Sequence, residues 1–221
     1  MKSRCPVRPY TDWVAPAIWL SLLTASVVIS LTPGAGAINT MSNSMTFGWR
    51  RSIWGIAGQQ LALLVHLVIV AAGVGVLVAG SPVLFNVIRY AGAAYLVYLG
   101  VRLILTKPSE VVDRGEDAVD SSGHWPMLRR GFWVNLLNPK AIVFFLAFVP
   151  QFIRSDLPLA PQYAVLAATV VCVDIAVMWG FFAVAARPFR RYSATMRGQR
   201  VLNTVFGALF IGVAALLAFI H

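Results

Sequence analysis

The chain is short of charge. Only 12% of its 221 residues are charged, 59% are hydrophobic, and the mean hydropathy is +0.76. A soluble domain carries roughly 25% charged residues. Too few polar groups remain here to cover a soluble core, so the sequence reads as a membrane protein. Acids are scarcer still, 8 Asp plus Glu against 18 Lys plus Arg, for a net charge of +10. In a soluble protein that balance would suggest nucleic acid. Here the basic residues flank apolar runs, where they set topology and meet anionic lipid, and no nucleic-acid partner is expected. The cysteines are 2 in number, Cys5 and Cys172, with no C-x-x-C between them. That excludes a dithiol redox site and supplies no disulfide or metal framework. There is no G-x-x-x-x-G-K-S/T phosphate loop, and spanning segments leave no room for a nucleotide-binding domain. The chain therefore carries out no ATP hydrolysis of its own, and no cofactor is implied.

What is present is a series of apolar runs. Six can be marked, approximately Trp13 to Leu31, Ile53 to Val78, Val83 to Ile104, Phe132 to Ile153, Tyr163 to Ala186 and Val201 to Ile220. A span needs about 20 apolar residues, and lipid offers the backbone no partners, so each should be helical. Lys2, Arg4 and Arg8 before the first run, with Ala35-Gly36-Ala37 after it, are also features of a signal peptide. The run is longer than a roughly 7–15 residue h-region, so it is read as a span. Between spans three and four, residues 107–130 hold five of the eight acids (Glu110, Asp113, Glu116, Asp117 and Asp120) and read as a solvated loop.

Basic residues orient these spans. Arg50 and Arg51 follow span one. Arg102, Lys107, Arg114, Arg129 and Arg130 follow span three, and Arg187, Arg190, Arg191, Arg197 and Arg200 follow span five. Lys2, Arg4, Arg8 and Arg154 lie on the other side. The excess places the loops after spans one, three and five in the cytoplasm and both termini in the periplasm. Leu31-Thr32-Pro33-Gly34-Ala35 and Leu137-Asn138-Pro139-Lys140-Ala141 match at three of five positions. Gly92-Ala93 has a counterpart in Gly207-Ala208. Three spans per copy is odd, so the second copy enters inverted. The fold expected is an all-α polytopic membrane protein, six transmembrane helices in a 3+3 inverted repeat with helices 1 and 4 broken. Repeat 1 covers about 11–105 and repeat 2 about 131–221. Such repeats mark secondary transporters, and paired interruptions point to the substrate site.

The residues that could carry chemistry cluster at the interruptions. Pro33 cannot donate its N–H, and Gly34 and Gly36 leave the backbone permissive. A break there makes a new helix N-terminus able to receive a carboxylate, although a plain kink would also account for the proline. Lys140, after Asn138-Pro139, sits about 12 Å into span four at helical rise. It is costly there unless paired or hydrated, and could hold a substrate carboxylate, snorkel, or form a structural ion pair. Asp174 is the only acid within a span. It could bind an ammonium, carry a proton, or pair with Lys140 or Arg89. With Asn39 these residues (Pro33, Gly34, Gly36, Asn39, Asn138, Lys140 and Asp174) form the candidate substrate-binding set. Asp174 and His66 are the proton-coupling candidates, His66 also fitting a neutral hydrogen bond to a neighbouring helix. Arg89 reads as a headgroup contact, and Gly92, Gly100, Gly207 and Gly212 as sites of close helix packing. No metal site and no enzymatic nucleophile–base pair is legible. A metal or organic-cation exporter would want more intramembrane ligands than Asp174 and His66.

Taken in order, Thr32-Pro33-Gly34, Gly92-Ala93-Ala94-Tyr95-Leu96, Leu99-Gly100, Asn138-Pro139-Lys140, Phe144 to Ile153 and Gly207-Ala208-Leu209-Phe210 resemble the LysE/RhtB family of amino-acid exporters. Ser30 to Met41, Ile56-Ala57-Gly58, Val173-Asp174-Ile175 and Val177-Met178 are similar to its homoserine and homoserine lactone subgroup. Ala35 stands where the wider family has a second proline, which weakens transfer of lysine or arginine specificity. The resemblance implies a multi-pass protein of the bacterial inner membrane that exports small amino acids or derivatives (homoserine, homoserine lactone, threonine), with protons as the coupling partner. A different neutral or branched amino acid, or passive facilitation, stays open, as does a homo-oligomer.

Overall fold

The computed structural model describes residues 16–80, 82–107, 123–154 and 157–219. The basic N-terminus and the five acids of the loop lie outside the described residues. Among the described residues every regular element is helical. Helix α1 (Pro16–Leu31) breaks and continues as α2 (Ala35–Phe47), and α3 is Ile53–Gly80 and α4 Pro82–Leu105. Then come α5 (His124–Leu136), α6 (Pro139–Phe148, ending in a 3₁₀ turn to Phe152) and α7 (Leu159–Ile175), which runs into a π-helical segment, Ala176–Ala183. Helix α8 is Ala186–Ser193 and α9 Met196–Phe219. Among the described residues four helices are long and apolar enough to cross a bilayer. The pairs α1/α2 and α5/α6 bend by 56° and 57°, and counting each as one span gives six. The protein is an all-α polytopic membrane protein with both expected breaks in place.

Two boundaries differ from the sequence reading. The first span does not stop at Leu31 but resumes as α2, whose Asn, Ser and Thr content hid it from a hydropathy scan; its polar residues Asn39, Thr40 and Asn43 are buried in protein instead of facing lipid. The fourth begins at His124, inside the segment read as loop, because α5 lies against α3 and carries Arg129 and Arg130 without spanning lipid by itself.

Packing crosses between the two halves of the chain. Helix α5 packs on α3 and α1 on α7, while α4 crosses α9. The α3–α5 crossing is so close that a Cβ at Gly58 would lie 1.9 Å from the Leu128 carbonyl oxygen, and one at Gly131 2.0 Å from that of Gly55. At the α4–α9 crossing a Cβ on Gly100 would lie 2.6 Å from the Gly207 carbonyl oxygen. Such approach lets dispersion act between backbones where lipid removes the usual hydrophobic drive. Gly92 also abuts Ala147, but Gly212 faces open space, contrary to its expected packing role. Arg89 is buried, and its guanidinium donates to the carbonyls of Leu217 and Ala218 at the end of α9, where the helix dipole favours a cation. The apolar core centres on Phe144, Phe145, Phe148 and Leu96.

Candidate functional site

The two breaks meet at the centre of the bundle. Thr32-Pro33-Gly34 ends α1, because proline has no N–H to continue the ladder. Asn138 ends the other break and starts α6, its side chain accepting from the Lys140 backbone N–H at 3.1 Å, with Pro139 in the first turn. The start of α2 has no side-chain cap: Gly34 stands at the cap position. Its first-turn N–H groups, with the positive end of the helix dipole, therefore have no side-chain partner.

Lys140 leaves α6 and reaches across to the end of α1. Its ammonium donates to the carbonyls of Ile29 (3.0 Å) and Thr32 (2.7 Å). These are last-turn acceptors that α1 cannot satisfy itself, and a cation suits that end of the dipole. Gly34 keeps the space clear, since a Cβ there would sit 3.3 Å from Lys140 Cε. The second break is closed the same way from the other half of the chain. His66 of α3 places Nε2 3.1 Å from the Leu136 carbonyl at the end of α5, and its ring stacks on Phe145. A carbonyl only accepts, so Nε2 carries the proton and Nδ1, buried and without a partner, is left as an acceptor.

Asp174 lies at the end of α7, just before the π segment, and is 9% exposed. Ser30 donates to Oδ1 at 3.0 Å and Gln60 Nε2 to Oδ2 at 2.6 Å. Neither Lys140 nor Arg89 pairs with it directly. The two opposite charges instead line one cavity of about 40 Å³, together with Gly36, Gln59, Asn135 and Asn138. At roughly 10–15 Å³ per water this holds a few waters and no amino acid. A second, more open pocket of about 350 Å³ is lined by Lys140 with Pro33, Gly34, Arg102, Thr106 and Pro139. Lys140 therefore lines both.

Of the residues singled out from sequence, Gly36, Asn138, Lys140 and Asp174 share the central cavity, and Pro33 and Gly34 line the second pocket with Lys140. Asn39 is buried but outside both cavities, with neither side-chain atom hydrogen-bonded. His66 is likewise outside them. Sequence reasoning missed Ser30 and Gln60, which hold the carboxylate, and passed over Gln59 and Asn135 as site residues. Gln59 donates to the Gly36 carbonyl and to Thr40 Oγ1, and Asn135 donates to the Gln59 carbonyl. The available signal was the pair Gln59-Gln60 inside an apolar run, where two adjacent amides are costly without partners. Among the described residues no cluster of His, Cys, Asp or Glu could hold a metal ion.

Similarity to known proteins covers nearly all of this architecture. The LysE type translocator family matches residues 27–220. A homoserine/homoserine lactone efflux protein of Salmonella typhimurium is 38% identical over 203 residues, 90% of this chain and 95% of its own length. An uncharacterized membrane protein of Vibrio cholerae is 39% identical over 205 residues, 91% and 96% of the two chains. The uncharacterized membrane protein YrhP of Bacillus subtilis is 27% identical over 200 residues, 87% and 94%. No solved structure matches the chain.

Proposed function

The chain belongs to the LysE type translocator family, and from that premise we propose that it exports small amino acids or derivatives of the homoserine, homoserine lactone and threonine class across the bacterial inner membrane in exchange for protons. The observation that carries this reading is the pair of opposite charges in one cavity, each held by neutral groups and not by the other. A zwitterionic amino acid presents the complementary pair. Its carboxylate goes to Lys140 and the uncapped start of α2, which an anion favours. Its ammonium goes to Asp174, whose oxygens keep lone pairs beyond those used by Ser30 and Gln60. The substrate class follows the printed name of the Salmonella relative. Asp174 also serves as the proton-exchanging group, so that solute and proton compete for one carboxylate, and His66 with its open Nδ1 is the secondary candidate.

At about 40 Å³ the cavity is too small for an amino acid, so transport requires part of the bundle to move. The crossed packing of α1 on α7 and α5 on α3 supports reading residues 11–105 and 131–221 as inverted repeats. Twelve basic residues in or flanking the connections after spans one, three and five support the cytoplasmic location of those connections. Cysteines placed at Asp117 and Ser81 test it: labelling of Ser81→Cys from the cytoplasm overturns it.

The functional test is efflux of labelled homoserine from preloaded cells with and without the protein, adding a protonophore midway. Accelerated efflux that slows with the protonophore is expected. Efflux indifferent to it removes the proton, and no acceleration with homoserine, its lactone or threonine removes the substrate class.

A further inference from the structure

Helix α2 has two buried faces of opposite character. One is apolar, where Ala37 and Met41 pack with Ile56, Met178 and Phe182. The other is polar. Asn39 and Asn43, one helical turn apart, are 4% and 2% exposed, yet both side-chain atoms of Asn39 and Nδ2 of Asn43 have no hydrogen-bond partner. Burying such groups unpaired costs their desolvation with no return, and inside a bilayer no lipid can relieve it. They press on α3 at Gly55, where a Cβ would lie 2.3 Å from Asn43 Nδ2 and 3.5 Å from Asn39 Nδ2. Further polar groups lie to either side of the two asparagines along the seam of α2 and α3. At one end Gly36, Gln59 and Asn135 line the central cavity. At the other, fully buried Ser52 donates to the Trp49 carbonyl in the turn that carries Arg50 and Arg51. Helix α2 is bounded by the Pro33-Gly34 break and by Gly48, whose φ of +87° suits glycine alone, and it is held to α3 by Gln59, which donates to Gly36 and Thr40, and to the π segment by Ser44, which donates to the Ala183 carbonyl.

We propose that the solute passes between the central cavity and the Arg50–Arg51 face along the α2–α3 interface, with Asn39 and Asn43 as its transit site. This rests on the transport reading above and names the route that reading leaves open. When α2 separates from α3, the amides meet water and then the solute. Neutral amides donate and accept, so they suit the carboxylate, ammonium and hydroxyl of a small amino acid in turn without retaining any of them. In the structure α2 lies against α3 at Gly55, and neither amide lines the central cavity.

Cysteine accessibility tests the route. Asn39→Cys, Asn43→Cys and, as a buried apolar control on the same helix, Met41→Cys are exposed to a membrane-impermeant methanethiosulfonate reagent on each side of sealed vesicles. Arg50→Cys marks the relevant face, and labelling is read by peptide mass so that Cys5 and Cys172 do not interfere. The expected result is labelling of both seam positions about tenfold faster than Met41→Cys, from the marked face, slowed by homoserine; local opening confined to one helix face produces such a contrast. Equal rates at all three positions, or labelling of the seam from the opposite face, overturn the route. If the cysteine variants do not accumulate, Asn43→Ala decides: a route predicts several-fold slower export with unfolding temperature unchanged or raised, and unchanged export overturns it. Homoserine efflux by the unmodified protein is followed in the same vesicles. A wrong substrate class leaves the labelling contrast standing, whereas a wrong route abolishes the contrast while efflux persists.

Discussion

Replacing Asp174 by asparagine separates its charge from its place in the packing. In the native protein Ser30 donates to one carboxylate oxygen and Gln60 to the other. Asparagine keeps an oxygen for Ser30 but offers an amide nitrogen to Gln60. Gln60 can answer by turning its own amide, because its Oε1 is buried and has no partner. The turn exchanges one unpartnered atom for another, so folding stability should change by no more than about 1 kcal/mol, the worth of one neutral hydrogen bond. Transport should change far more. A hydrogen bond to a charged group is worth about 1.5–3 kcal/mol, and at about 1.4 kcal/mol per tenfold this predicts roughly 10- to 150-fold weaker handling of the solute ammonium. The assay is paired: initial efflux of labelled homoserine from preloaded cells, and thermal unfolding of the purified protein. Slow efflux from a variant that melts within a few degrees of the parent is the expected result. Asp174→Asn exporting at the parental rate would refute the ammonium and proton roles together. A loss of efflux matched by a large fall in unfolding temperature would show that the carboxylate is structural.

Lys140→Met should slow homoserine more than homoserine lactone, because the lactone has no free carboxylate for the ammonium to receive; equal losses on the two, measured by competitive efflux, remove that assignment. Gly34→Val should also impair export, since even a Cβ there would stand 3.3 Å from Lys140 Cε and 3.4 Å from its Nζ, and a normal efflux rate would show that Lys140 need not move. Gly58→Ala is expected to destabilise by about 1–3 kcal/mol or more through overpacking on the Leu128 carbonyl, whereas Gly212→Ala, inside α9 with nothing within 4 Å of its Cβ, should leave the unfolding temperature unchanged or raised; both are read by thermal unfolding in detergent.

The breaks were legible because proline and glycine stand out in apolar runs, and Lys140 and Asp174 because charge within a span is rare. Their holders were not, since the spacing of Ser30, Gln60 and Asp174 along the chain says nothing about three helices meeting. A helix start after Pro33 was legible, but the extent of α2 was not: its polar Asn39, Thr40 and Asn43 fall outside the apolar runs, and only burial against α3 and α5 shows what they face. The start of α5 was masked for the same reason by Arg129 and Arg130. The π segment after Asp174 has the composition of any apolar helix, so no periodicity distinguishes it. Arg89 was expected at headgroups because its guanidinium could snorkel; the free carbonyls at the end of α9 lay out of sight, far along the chain.

The two helix breaks are closed at different moments in the protein's synthesis. The carbonyl of Thr32 waits for Lys140, 108 residues downstream, which at roughly 5–20 residues per second takes on the order of 5–20 s to be made. During that interval the end of α1 lies in or beside the membrane with its last acceptors unserved by the chain. The second break meets no such delay, because His66 precedes Leu136 by 70 residues and is already present when α5 arrives. Insertion is therefore asymmetric: the second half docks onto a prepared partner, and only then does the first half become complete. A chain that ends before Lys140 leaves the carbonyls of Ile29 and Thr32 without the ammonium that serves them in the complete fold.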